Sequence, residues 1–337
     1  MKRRAILFFL LFLLQMGSVP TLAAEPTVAA QGAALIDGKT GRLLWGKNAD
    51  APLAMASTTK IMTAILVLEQ ASLTEVVTVS KNAAQQPKVH MSLQEGEQWQ
   101  AGALLSAMLL RSYNDAAVAL AEQVSGDVAK FCAEMTKKAK EIGARDTVFG
   151  SPNGLDSHLT AEQHHSTAYD MALLGRYAMQ NQKFREIVSA QYWDVPPTNK
   201  DSDGYHLENA NRLIHKGEKD TQSYLYQYAT GIKTGDTDQA GRCIVASARK
   251  DGVELICVLF GDPQGDKYRY TRFENAPKFF NWGFENYSSV SVSELNLQSS
   301  FSVPVENGAF EDGGGLTATA DVSGKIIAGT RDFVSGV

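Results

Sequence analysis

Apolar positions along this chain keep two different rhythms, and each predicts a different element. Between residues 57 and 143 they recur at three- and four-residue spacing, which collects them on one face of a 3.6-residue helix. The clearest stretches are 57–70, 101–110, 115–122 and 127–142, and the rhythm returns over 167–180 behind a capping-type start. Short apolar runs bounded by turn residues predict strands instead. Residues 33–37 and 42–46 flank the turn Gly38-Lys39-Thr40-Gly41, and residues 243–248 and 254–260 flank Lys250-Asp251-Gly252. A last helix is expected over 268–284, while residues 151–166, rich in Pro, Asn, Gly and His, read as a loop.

Strands toward both ends, with helices between them, require one sheet assembled from distant pieces and covered by helices, an α+β arrangement. After Asn286 the composition changes to short β-type runs with Ser, Val and Gly, expected to form a separate small unit. The opening residues stand apart from the fold. Lys2, Arg3 and Arg4 precede an apolar run from Ala5 to Leu14, with small residues around Ala23 and Ala24, the layout of a cleaved secretory signal. The expected organisation is therefore a signal peptide over 1–24, a catalytic domain over 25–287 and a short β-rich segment over 288–337. The last stretch, 326–337, has no sustained apolar face, so no firm membrane anchor is expected.

Composition narrows the partners. The formal charge is −5, and it becomes about −8 once the signal's three positive charges are removed. A mildly acidic chain without a basic cluster argues against nucleic acid. Three cysteines do not make a disulfide scaffold in an exported protein. Cys132 falls in a predicted helix as a buried thiol, and Cys243 and Cys257 flank a turn closely enough to leave a cross-strand bond open.

Three short motifs carry the chemistry, each with decoys. Ser-x-x-Lys occurs at Ser57-Thr58-Thr59-Lys60 and again at Ser247-Ala248-Arg249-Lys250. On a helix, positions i and i+3 share a face, so Lys60 can reach the Ser57 hydroxyl; on a strand they oppose, so Ser247 and Lys250 cannot cooperate. A serine needs such a base before it can attack, and an amine serves when burial and a second positive charge lower its pKa. Ser-x-Asn occurs at Ser80, Ser112 and Ser151; only Ser112-Tyr113-Asn114 sits at a junction between two helical stretches. Lys-Thr-Gly occurs in the hairpin turn at Lys39 and at Lys233-Thr234-Gly235, which precedes the paired strands and should lie on an edge strand. The turn copy also imitates a phosphate loop, but Gly32 stands one residue too far away and no helix follows. His158, His164 and His165 match no zinc spacing, and no metal or other cofactor is expected.

Taken in order, Ser57-x-x-Lys60, Ser112-x-Asn114 and Lys233-Thr234-Gly235 resemble the penicillin-recognising serine enzymes. The words Met55-Ala56-Ser57-Thr58-Thr59-Lys60-Ile61-Met62-Thr63, Asn114-Asp115-Ala116-Ala117 and Gly231-Ile232-Lys233-Thr234-Gly235 narrow this. With Pro152-Asn153-Gly154-Leu155 and His165-Ser166-Thr167-Ala168, they look like the low-molecular-weight penicillin-binding proteins, serine D-alanyl-D-alanine carboxypeptidases. The resemblance covers about residues 27–287. It implies a transpeptidase/β-lactamase-like fold, an antiparallel sheet flanked by helices with a mostly helical insertion. It also implies a substrate, peptidoglycan stem peptides ending in D-Ala-D-Ala, and covalent inhibition by β-lactams. By resemblance, Ser57 is the nucleophile, Lys60 its base and Ser112 a proton relay. Asn114, Lys233, Thr234 and Gly235 bind substrate, and the Ser57 and Asp236 amides form the oxyanion hole.

Asp236 and Arg242 depart from the family pattern, which favours a His or aromatic at the first position and an aromatic at the second. An ionised Asp236 would either oppose an incoming carboxylate while holding Lys233 charged, or pair with Arg242 across the strands. Two rivals remain at this level. A serine β-lactamase shares the three motifs, although no Glu-x-x-Leu-Asn follows Ser112, and a non-catalytic module sensing muropeptides or β-lactams would keep the cleft without turnover.

Overall fold

The computed structural model describes residues 24–218, 220–265, 269–291, 300–304, 317–321 and 325–329. The expected signal segment lies almost wholly outside the described residues, as does the end of the chain after Gly329. Residues Pro26–Gly283 form one compact unit, and Phe284–Val337 belong to a second.

The larger unit is organised around a five-stranded antiparallel sheet. Its strands are β1 (Gly32–Asp37), β2 (Leu43–Lys47), β7 (Ala229–Thr237), β8 (Gly241–Lys250) and β9 (Val253–Asp262), in the order β2-β1-β9-β8-β7. The N-terminal hairpin thus adds to strands some 200 residues later, as an α+β chain with one sheet requires. The central strands β1, β8 and β9 are buried along most of their length, which is why they read as continuous apolar runs rather than as alternation. The strand bearing Lys233-Thr234-Gly235 is an edge strand, as the sequence predicts.

Helices supply the rest: α1 (Lys60–Gln70), α2 (Lys81–Ala84), α3 (Ala101–Arg111), α4 (Asn114–Ser125), α5 (Val128–Ile142), α6 (Ala168–Ala178), α7 (Gln182–Ser189) and α8 (Thr271–Asn286). Helix α1 is buried from Lys60 through Val67, whereas α5 buries only the stripe Phe131, Cys132, Met135 and Ala139. Asp127 and Thr167 cap α5 and α6 by accepting from Lys130 N and Asp170 N, and α5 stops at Gly143 in the left-handed conformation (φ 104°). Two small antiparallel pairs complete the unit, β3 (Val76–Thr78) with β4 (Gln98–Gln100) and β5 (Tyr192–Val195) with β6 (Tyr205–Glu208); the apolar run 76–79 reads as a strand in the sequence, whereas β4, β5, β6 and α7 escape it. Each is eight residues or shorter, too brief for periodicity to separate from loop.

In the second unit, β10 (Tyr287–Ser291) pairs antiparallel with β13 (Lys325–Gly329), and β11 (Ser300–Pro304) with β12 (Thr317–Asp321).

The cysteines settle as separate buried thiols. In register, Cys243 faces Gly235 and Cys257 faces Ala246, so no bond crosses the hairpin. Burial pushes the thiols of Cys132 and Cys243 up to about 12, which keeps them protonated.

Candidate active site

The two Ser-x-x-Lys copies sit in different backbones. Ser57 lies in a 3-10 turn, Ala56–Thr59, that runs into α1 at Lys60, so the expected α-helix starts three residues late. The tighter turn eclipses i and i+3 and brings Lys60 Nζ to 2.8 Å from Ser57 Oγ. The other copy is on β8: buried Ser247 shares a 2.8 Å hydrogen bond with Thr230, and the Lys250 ammonium sits over the Tyr228 ring. The other decoys are structural too. Ser80 caps α2, Ser151 closes a turn with Gly154 and Leu155, and the Lys39-Thr40-Gly41 amides and hydroxyl are tied to Asp37.

Lys60 is fully buried, and two of its three side-chain contacts have a fixed sense. Its Nζ donates to Asn114 Oδ1 (2.8 Å) and to the backbone oxygen of Asn153 (2.5 Å). The Asn114 amide is oriented by its own Nδ2, which donates to Pro87 O. Two acceptor-only groups therefore take two N–H bonds. Its third contact is Ser57 Oγ, to which a charged Lys60 donates and whose own hydroxyl lies 3.3 Å from Asn153 O. In a neutral amine with the two N–H bonds kept, that third direction is the lone pair. Burial, and then the charge of Lys233, hold the Lys60 pKa well below that of an ordinary lysine, with Asp115 opposing more weakly. Asp115 itself accepts the Met91 and Leu93 amides, which fastens the segment before α3 to the start of α4.

The backbone around the serine is built for close approach. A Cβ on Gly154 would lie 2.0 Å from Ala56 O, and Gly154 also has φ +85°, so this loop position admits only glycine. Ala56 is itself left-handed at φ 47°, a conformation that costs about 1–2 kcal/mol for an L-residue, directly before Ser57. From the opposite side, a Cβ on Gly235 would come within 2.8 Å of Ser57 N.

The strand wall is charged. Lys233 is 2 % exposed, and its Nζ donates to Thr234 O at 2.8 Å. Burial, and then the nearby Arg272 guanidinium, push it down to about 7. Asp236 contacts Arg242 (Nε 3.2 Å) and Arg272 (Nη1 3.7 Å), so of the two expectations for this carboxylate the cross-strand pair is the one formed. Arg272 also donates to Gly235 O at 3.1 Å. Ser112 occupies the left-handed end of α3 (φ 66°), two residues before Asn114; like Thr234, it makes no side-chain hydrogen bond among the described residues.

Sequence reasoning therefore missed two contributors, the carbonyl of Asn153 and the side chain of Arg272. A carbonyl has no sequence signature, and one arginine in a helix reads as a solvated face. His164 is buried and neutral, pushed down to about 4 by burial and then by His165, and bridges Thr59 and Gly150 N. Among the described residues no three His, Cys, Asp or Glu side chains gather as a metal site.

The sequence profile of one family, described as D-alanyl-D-alanine carboxypeptidase, matches residues 19–264. The chain belongs to that family. The D-alanyl-D-alanine carboxypeptidase DacF of Bacillus subtilis is 34% identical over 284 residues, covering 83% of this chain and 68% of that protein. In general the chain spans about two thirds of the length of the curated relatives it matches. The solved structure of the D-alanyl-D-alanine carboxypeptidase DacD from Francisella tularensis superposes with a TM-score of 0.74 at 25% identity, over 96% of this chain and 86% of that one. Penicillin-Binding Protein D2 from Listeria monocytogenes, solved in its cefotaxime-bound form, gives 0.64 at 30% identity, over 77% and 99%. These solved structures share with the chain the transpeptidase-like fold that its resemblance implies.

Proposed function

We propose that the chain is an exported serine carboxypeptidase that removes the terminal D-alanine from peptidoglycan stem peptides, working through an acyl-enzyme on Ser57. The observation that carries this reading is the Lys60 amine, buried, with two acceptor-only partners and its third direction on Ser57 Oγ. Ser57 Oγ attacks the carbonyl between the last two D-alanines while its proton passes to Lys60. The tetrahedral oxyanion is received by the amides of Ser57 and Asp236, and loss of one such donor costs about 3 kcal/mol. As the C–N bond breaks, the leaving amine takes a proton relayed through Ser112, and free D-alanine departs. Water then attacks the ester, returning a proton to the site and releasing the shortened peptide. Asn114 holds the peptide backbone, and Lys233, Thr234 and the strand at Gly235 receive its terminal carboxylate.

Export is supported by the charge and apolar pattern of the first 24 residues. No helix among the described residues is long and apolar enough to cross a membrane. A penicillin presents an amide and a nearby carboxylate as the substrate does, with the amide strained in a four-membered ring, so it should acylate Ser57 and release slowly. The relative solved in its cefotaxime-bound form supports binding of such compounds. Intact-mass measurement tests the reading. Wild type should gain one penicillin adduct and release D-alanine from a pentapeptide, whereas Ser57→Ala should do neither. An adduct that persists in Ser57→Ala, particularly at Ser247, overturns the assignment. Fast turnover of penicillin would favour a β-lactamase instead.

A further inference from the structure

Lys60 functions as a base only if its two N–H bonds are held away from Ser57, so whatever fixes their acceptors aims the lone pair. Asn114 is one acceptor. The other is a loop carbonyl, Asn153 O, and a loop carbonyl turns with its peptide plane. What holds that plane is a chain of amides whose orientations are set at both ends by backbone. The Leu155 N–H can only donate, so it fixes Asn153 Oδ1 toward itself and Nδ2 away. Asn82 O can only accept, so it fixes Gln86 Nε2 toward itself at 3.2 Å. That leaves Gln86 Oε1 to accept from Asn153 Nδ2, at 3.0 Å. Next along the chain, Pro87 O accepts from Asn114 Nδ2 at 3.1 Å. Two successive residues therefore brace both acceptors of the Lys60 amine, Gln86 through a side chain and Pro87 through its carbonyl.

We propose that Gln86 is a positioning residue for the acylation step: it locks the Asn153 peptide so that its carbonyl takes one Lys60 N–H and turns the amine lone pair onto Ser57. This rests on the reading of Lys60 as the base. Gln86 is half-buried and borders a cleft of about 500 Å³, lined also by Pro87, Asn153 and Leu155, so its side chain can be changed without displacing a packed core.

Acylation by a chromogenic cephalosporin, followed across pH together with the melting temperature, tests the proposal on the full chain. Gln86→Leu removes the acceptor while keeping the bulk. Its plateau acylation rate should fall at least about tenfold, the scale expected when reacting groups lose alignment. Its acid limb should move to lower pH, because the Lys60 cation loses a charge-assisted acceptor and deprotonates more readily. Gln86→Glu keeps an acceptor for Asn153 Nδ2 although it loses the donor to Asn82 O, and it should restore part of the plateau rate. A Gln86→Leu variant with a wild-type profile overturns the proposal, and so does one that is slower only in proportion to lost folded protein with its limb unmoved. Equal loss in Gln86→Glu overturns it as well. Lys60→Ala separates the two levels: if it still acylates, the reading of Lys60 has failed; if it is inert while Gln86→Leu is normal, only the role of Gln86 has.

Discussion

The candidate site holds two buried lysines, Lys60 on its helical wall and Lys233 on its strand wall, and they differ in what surrounds the amine. On the helical wall, Lys60 has three partners and an internally complete geometry: Asn114, the Asn153 carbonyl and Ser57. On the strand wall, Lys233 has one backbone acceptor and a guanidinium beside it, while Asp236, three residues along the strand, contacts Arg242 and Arg272. Both amines lose proton affinity on burial, with opposite consequences. The first is arranged to be neutral and to take a proton. The second lacks a counter-charge, and an arriving carboxylate would supply it. On the proposed mechanism one wall serves chemistry and the other recognition, which predicts that substitutions on the helical wall lower the acylation rate and those on the strand wall raise KM.

The largest effect should come from the helical wall. Ser57→Ala should abolish acylation, and Ser247→Ala should leave it within about twofold of wild type, because Ser247 is buried in β8 and hydrogen-bonded to Thr230. Loss of acylation in Ser247→Ala at wild-type stability would break the comparison, since it would put chemistry on the sheet.

Gly154→Ala comes next. The left-handed backbone alone costs about 1–2 kcal/mol with a Cβ present, and the Cβ meets Ala56 O at an impossible separation, so the loop must shift. The Asn153 carbonyl moves with it. Acylation should fall more steeply than the melting temperature implies, and a variant that melts early but acylates normally would show that the carbonyl does not matter.

These two sites also mark how far the sequence could be read. On the helical wall, helical spacing converts sequence into proximity for Ser57 and Lys60, while Asn114 was legible only through the Ser-x-Asn motif and the resemblance it carries. The wall's remaining member is a carbonyl, which every residue possesses, and only the loop conformation singles out Asn153. The edge position of Lys233 followed from the apolar hairpin β8–β9 next to it. Arg272 did not follow from anything local: it comes to Gly235 through the packing of α8, 37 residues along the chain. The short elements α7 and β4–β6 were invisible for a different reason, since a few residues cannot establish a period.

On the strand wall, pH should act through KM. Lys233 is charged below about 7 and neutral above it. A substrate ending in a free carboxylate should therefore bind more weakly as pH rises past 7, by up to about tenfold per unit until the bound carboxylate no longer favours protonation. The acylation rate should not fall over this range, because higher pH keeps Lys60 neutral. An amidated C-terminus should show a flat KM. A falling kcat at constant KM would reverse the roles given to the two lysines.

The smallest expected effect is at Asp236, and it sharpens the account of the strand wall. Were this carboxylate aimed at the substrate site, Asp236→Asn would remove a repulsion and lower KM for carboxylate-ended peptides. The structure places it differently: its side chain is 49% exposed and lies against Arg242 and Arg272, which are 12% and 13% exposed. Its charge is matched locally, so an arriving anion meets a pair rather than a bare carboxylate. An exposed pair of this kind contributes about 0–1 kcal/mol, and Asp236→Asn should cost stability on that scale. The variant also leaves Arg272 less neutralised beside Lys233, and Arg272 is already a cause of that lysine's depressed pKa. The alkaline rise in KM should therefore start at slightly lower pH, while the preference for a free over an amidated terminus at pH 6 stays as in wild type. Steady-state kinetics on both peptides at two pH values decide it. A clear gain of affinity for the free carboxylate at pH 6 would mean that Asp236 faces the substrate after all.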